Sequence, residues 1–117
     1  CKEEEETVVH LFWNCHKTAH FWRQVDDWFF EITDIHLHIN ALSIIFGISS
    51  DRCPVLSNVI ILLGKIFVFK HRNYSLNLPA FISFVSFYYR LELNIANRQG
   101  KVHKHRGKWG KFNTVFS

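Results

Sequence analysis

The sequence contains no Met, only two Pro and five Gly, and three Cys among 117 residues. With no Met and with Cys1 in first place, the chain is expected to be a piece of a longer protein. Three cysteines are an odd count and a poor disulfide framework, which favours a reducing compartment and makes Cys near His a candidate for metal ligation. Acids are scarce in one half only. Cys1 to Asp51 holds nine acids against three Lys/Arg, a net of −6, whereas Arg52 to Ser117 holds one acid against eleven Lys/Arg, a net of +10. An acidic head joined to a basic tail points to an anionic partner for the tail.

Several motifs are also missing. There is no Gly-x4-Gly-Lys phosphate loop, no Ser in a glycine-rich elbow and no pair of aspartates of the kind a polymerase centre needs. His16 and His20 share a helix face, but Lys17 stands where a metalloprotease carries its general-base Glu. The chain is therefore expected not to be an enzyme by itself and to have no small-molecule substrate. The longest apolar stretch, Val55 to Phe69, is interrupted by Ser57, Asn58, Gly64 and Lys65 and is shorter than the ~20 residues a membrane span requires. It is read as a buried helix, with no membrane partner.

What is present is core material. Hydrophobic residues make up 48% and aromatics 16%, with twelve Phe, so disorder throughout is excluded. In Thr18 to Ile32, the residues Phe21, Trp22, Val25, Trp28, Phe29 and Ile32 follow a helical period, with Phe30 off the pattern. Leu42 to Ile48 reads as a short strand or an extended segment. Val55 to His71 is rich in β-branched residues, but its length decides for helix over strand. Pro54 suits its first turn. A third helix opens at Pro79 and runs to about Asn97, with Phe81, Phe84, Val85, Tyr88, Leu91 and Ile95 on one face and Phe87 and Tyr89 off it. The expected fold is mainly α: a helical domain over residues 1–97 with a short Cys/His head, about three long helices and at most one short strand, followed by a basic, flexible tail over 98–117.

Cys1, His10 and Cys15 fit Cys-x8-His-x4-Cys, three candidate ligands where structural zinc takes four. The run Glu6-Thr7-Val8-Val9-His10-Leu11-Phe12-Trp13-Asn14-Cys15, followed by Phe21-Trp22, resembles the zinc-binding region at the C-terminus of LINE-type, non-LTR retrotransposon reverse transcriptases. Ile44-Ile45-Phe46-Gly47, Asn58 through Lys65-Ile66, Lys70-His71-Arg72, Glu92 with Ile95-Ala96, and Trp109 resemble the same family in the same order, so the resemblance extends over nearly the whole chain. It implies that Cys1, His10 and Cys15 are the second, third and fourth ligands of a Cys-Cys-His-Cys zinc site whose first cysteine lies three residues before Cys1. It further implies an intracellular accessory domain, nuclear or cytoplasmic, that works beside the rest of its parent reverse transcriptase and helps hold template RNA and target DNA. Leu11, Phe12, Trp13, Phe21 and Trp22 are read as core and not as stacking platforms.

In the tail, Arg98, Lys101, Lys104, Arg106, Lys108 and Lys111 are six cations with no acid among them, interleaved with His103, His105 and Trp109. Lys and Arg displace condensed counterions from phosphates, and an aromatic can stack on an exposed base. These seven residues, Trp109 included, are the candidate nucleic-acid contacts, better suited to single-stranded or structured RNA than to reading duplex sequence. Whether Trp109 meets a base or packs on the helices is open at this level. The competing reading is a helical protein-interaction module in which Phe30, Phe87 and Tyr89 mark the interface; a fragment of a decayed element without function is a third.

Overall fold

The computed structural model describes residues 16–37, 39, 54–71 and 76–116. These residues are mainly α-helical, with no strand among them: α1 (His16–Thr33), α2 (Pro54–His71), α3 (Leu78–Gln99), α4 (Val102–Trp109), a 3-10 turn (Gly110–Phe112) and the short α5 (Asn113–Phe116). The three long helices fall within two residues of the expected bounds. The Leu42–Ile48 segment and the Cys1–Cys15 head lie outside the described residues.

The periodic face of α1 is the centre of the core. Phe21, Trp22, Val25, Trp28 and Phe29 are buried, and Phe30 points outward, as the spacing predicts. Phe21 meets Phe67 of α2 and Phe81 of α3 at ring distances of 5.5 and 5.3 Å, the second edge to face. Asp34 closes α1 in the left-handed region at φ 60, a conformation Asp tolerates better than most residues. Beyond it the chain folds back along the helix. The Leu37 amide donates to Asp26 Oδ1 at 2.8 Å, His36 stacks on Phe30 at 4.1 Å, and the Leu37 side chain is fully buried.

Helix α2 is apolar nearly all round. Leu56, Ile60, Ile61, Leu63, Phe67 and Val68 are buried, while Val55, Leu62, Ile66 and Phe69 face outward. At Gly64 the helix packs tightly on α1, where a Cβ would lie 2.5 Å from Cζ3 of the Trp22 indole. Glycine is used here because the indole rests directly on the α2 backbone.

Helix α3 starts at a capped end. Asn77 is extended (φ −126, ψ 130), its side chain accepts from the Ala80 amide at 2.9 Å, and Pro79 occupies the first turn. Its buried face is Phe81, Val85, Tyr89 and Ala96, so the expected face is corrected in part: Leu91 and Ile95 are about half exposed, and Tyr89 is buried. The helix is apolar over more than half its circumference, and periodicity alone could not choose the inward side. Polar partners choose it, because Tyr89 donates its hydroxyl proton to Asn113 at 2.7 Å and Glu92 meets α4.

The expectation of a flexible tail is also corrected. Gly100, at φ 69, ends α3 in a Schellman turn, with the Lys101 amide on the Ala96 carbonyl (2.8 Å) and the Gly100 amide on that of Asn97 (3.4 Å). This reversal lays α4 back on α3. Trp109, Phe112 and Phe116 are buried, and Phe112 reaches Trp28 of α1 at 5.2 Å. Asn113 ties off the end, donating to the Arg106 and Gly110 carbonyls at 2.8 and 2.7 Å. The apolar positions of this segment are separated by glycines and cations, which hid a buried face inside a basic composition.

Replacing Gly64 by Ala is expected to destabilise the fold by about 1–3 kcal/mol, the usual cost of overpacking. Gly107→Ala, at a helical position open to solvent on its Cβ side, is expected to be neutral or slightly stabilising in the same urea melts.

Candidate nucleic-acid interface

The candidate interface is built on the C-terminal third of α3 and on α4. Glu92, the one acid between Arg52 and Ser117, stands where three donors converge. Its Oε1 accepts from Trp109 Nε1 and from His105 Nδ1, each at 3.1 Å, and its Oε2 pairs with Lys108 Nζ at 2.9 Å. His105 Nε2 is buried with no hydrogen-bond partner among the described residues. The imidazole packs against the Tyr89 ring at 4.6 Å, and Trp109 meets Tyr89 edge to face at 5.3 Å.

Burial works against the Glu92 charge, but the hydrogen bonds from Lys108, Trp109 and His105, with the Lys108 charge, outweigh it and hold the carboxyl below its ordinary value of 4.5. The Tyr88 phenol is pushed up, first by burial and then by the Glu92 charge.

Between α3 and α4 lies an open cleft of about 190 Å³. Lys101, Lys104 and Lys108 line its α4 side, and Ile95, Ala96 and Gln99 line its α3 side. Among the expected nucleic-acid contacts, these three lysines are therefore brought together. Arg98 and Arg106 are exposed and lie outside the cleft. Lys111 reaches Asp34 at 3.5 Å in an exposed pair, an arrangement that contributes little. Trp109 is fully buried and its N–H is taken by Glu92, so this ring packs on the helices and offers no face for a base.

Glu92 and His105 were the residues that composition left in the background. Their signal was faint but present: a lone acid in a basic half, with its partners 13, 16 and 17 residues downstream.

Cys1, His10 and Cys15 lie outside the described residues, as does the side chain of His16. Among the described residues no group of three or more His, Cys, Asp or Glu could hold a metal ion, and no helix is long and apolar enough to cross a membrane. No protein-family model, no curated protein and no solved structure matches this chain.

Glu92→Ala leaves two buried donors without an acceptor, at about 1–3 kcal/mol each, so thermal melts are expected to show a loss of roughly 2–6 kcal/mol. The pH dependence follows from the sign of the shift. The folded carboxyl titrates below its unfolded value, so its contribution is complete above that value and is lost as pH falls through the lower, folded one. The stability gap between the wild type and Glu92→Gln is therefore expected to narrow in urea melts as pH drops below about 4.5. A gap that stays constant into that range would remove the carboxylate charge from the explanation.

Proposed function

We propose that this chain is a non-catalytic helical domain that contacts RNA and DNA through the basic surface of α4 and the end of α3, as an accessory part of a LINE-type reverse transcriptase. The observation that carries the proposal is the concentration of six cations between Arg98 and Lys111, carried on a folded scaffold with three of them around one cleft. A rigid helix holds its cations at fixed spacing, which lowers the ordering cost of meeting a phosphate backbone. The reverse-transcriptase part of the proposal is supported by the ordered run from Glu6 to Trp22 and its downstream continuation. In that role the domain would steady template RNA and target DNA during target-primed reverse transcription, while the polymerase chemistry takes place elsewhere in the parent protein.

Zinc belongs to the same proposal. Cys1, His10 and Cys15 would supply thiolate and imidazole ligands to a structural ion that fixes the geometry of the head against α1. The compartment that fits is a reducing one, nucleus or cytoplasm.

A second reading is favoured by a separate observation. Phe87, Leu91 and Ile95 form an exposed apolar row on α3, and Val55, Leu62, Ile66 and Phe69 are exposed on α2. Such surface suits docking on protein, and both roles fit one domain in a larger parent. Of the residues expected to mark that interface, Phe87 is 65% exposed, Phe30 is covered in part by His36, and Tyr89 is buried and drops out.

Two measurements test the main reading. Neutralising Lys101, Lys104, Arg106 and Lys108 together is expected to weaken binding to single-stranded RNA and to flatten the slope of log K against log salt by roughly 0.7 for each of them that meets a phosphate. An unchanged slope would take the basic segment out of the proposal. Metal analysis of a chain extended upstream to include the first cysteine of the quartet is expected to find about one zinc, lost in Cys15→Ser. Melting curves that chelation leaves untouched would end the zinc part.

A further inference from the structure

We propose that the cleft between α3 and α4 is the seat of one nucleic-acid strand, whose phosphodiester backbone runs along Lys101, Lys104 and Lys108. The inference rests on the nucleic-acid reading above and adds to it a place and a choice among the cations.

Helical geometry separates the basic residues into two sets. At 3.6 residues per turn, positions 101, 104 and 108 fall within about 60° of one another around the α4 axis, while Arg106 stands about 160° away on the opposite flank. The composition shows six equivalent cations, but the fold makes a row of three, and all three line the cleft. The row is about 10 Å long, at roughly 1.5 Å of rise per residue.

The members of the row have different roles. Lys108 is held at 2.9 Å from Glu92, and its ion pair cancels the only acid at the cleft. Lys101 and Lys104 are exposed and make no ion pair among the described residues, so they supply the net positive charge. Ile95 and Ala96 give the opposite side an apolar lining on which a ribose or the edge of a base can rest. Trp109, the aromatic nearest to the row in the chain, is turned inward and offers no face for stacking.

The test is fluorescence anisotropy on the full chain with a labelled oligo(U) RNA of about 20 nucleotides, between about 50 and about 200 mM salt. Lys101→Gln/Lys104→Gln is expected to weaken binding more than tenfold at the low-salt end and to reduce the salt slope by about 1.4. Arg98→Gln/Arg106→Gln removes the same charge from outside the cleft and is expected to stay within about threefold of wild type with its slope kept. Lys101→Arg/Lys104→Arg is expected to bind like wild type. All four positions are exposed, so thermal melts of the variants are expected to coincide.

Equal weakening by the two glutamine pairs would overturn the cleft while leaving nucleic-acid binding in place. So would a loss in the arginine pair as large as in the glutamine pair. A wild-type chain with no salt-dependent binding would overturn both this inference and the reading beneath it.

Discussion

Three donors from α4 meet one carboxylate on α3, and the arrangement of the C-terminal half follows from that meeting. Without Glu92, the indole N–H of Trp109 and the Nδ1–H of His105 would be buried with nothing to accept them, and α4 would have no reason to prefer this face of α3. With it, both rings turn inward against Tyr89, and Phe112 and Phe116 follow them to reach Trp28. A segment that reads by composition as solvated and basic thereby becomes part of the core. The Schellman turn at Gly100 makes the approach possible, since it sends the chain back along α3 within two residues.

The same interaction sorts the charges. A net of +10 in the second half implies mutual repulsion, and the fold relieves only a little of it. Lys108 is compensated by Glu92 and Lys111 loosely by Asp34, while Lys101, Lys104, Arg98 and Arg106 stay exposed. Where positive charge is left uncompensated on a rigid helix beside an apolar-walled cleft, an anionic polymer with an apolar interior is a better match than a small ion. That match gives the nucleic-acid reading its weight and the lysine row its particular place in it.

The long helices were legible in the sequence because each had its own signal. The Phe21–Trp22–Val25–Trp28–Phe29 spacing set both the extent and the buried side of α1. Length settled α2 against its β-branched composition, and Pro79 marked the start of α3. The buried side of α3 was not legible, since Leu91 and Ile95 are as apolar as the residues that went inside, and the choice was made by Tyr89 and Glu92 acting through partners more than ten residues away. The burial of Trp109 was hidden for the same reason. Of the candidate site, the cations could be named from the sequence, but their division into a row and its outliers needed the angle at which α4 lies. The proposed zinc ligands Cys1, His10 and Cys15 lie outside the described residues, and their reading rests on the resemblance.

The contact between Trp22 and Gly64 has a consequence for how this domain can change over time. One of the two Trp side chains of α1 is laid against a position of α2 that has none, so the two sites do not vary independently. A methyl group at 64 is acceptable only beside a smaller ring at 22, and a smaller ring at 22 leaves a void unless 64 grows. Neither step is neutral when taken first. The pair therefore behaves as one inherited unit split between two helices, and in any set of diverged copies, positions 22 and 64 are where the helix spacing is either preserved together or lost together.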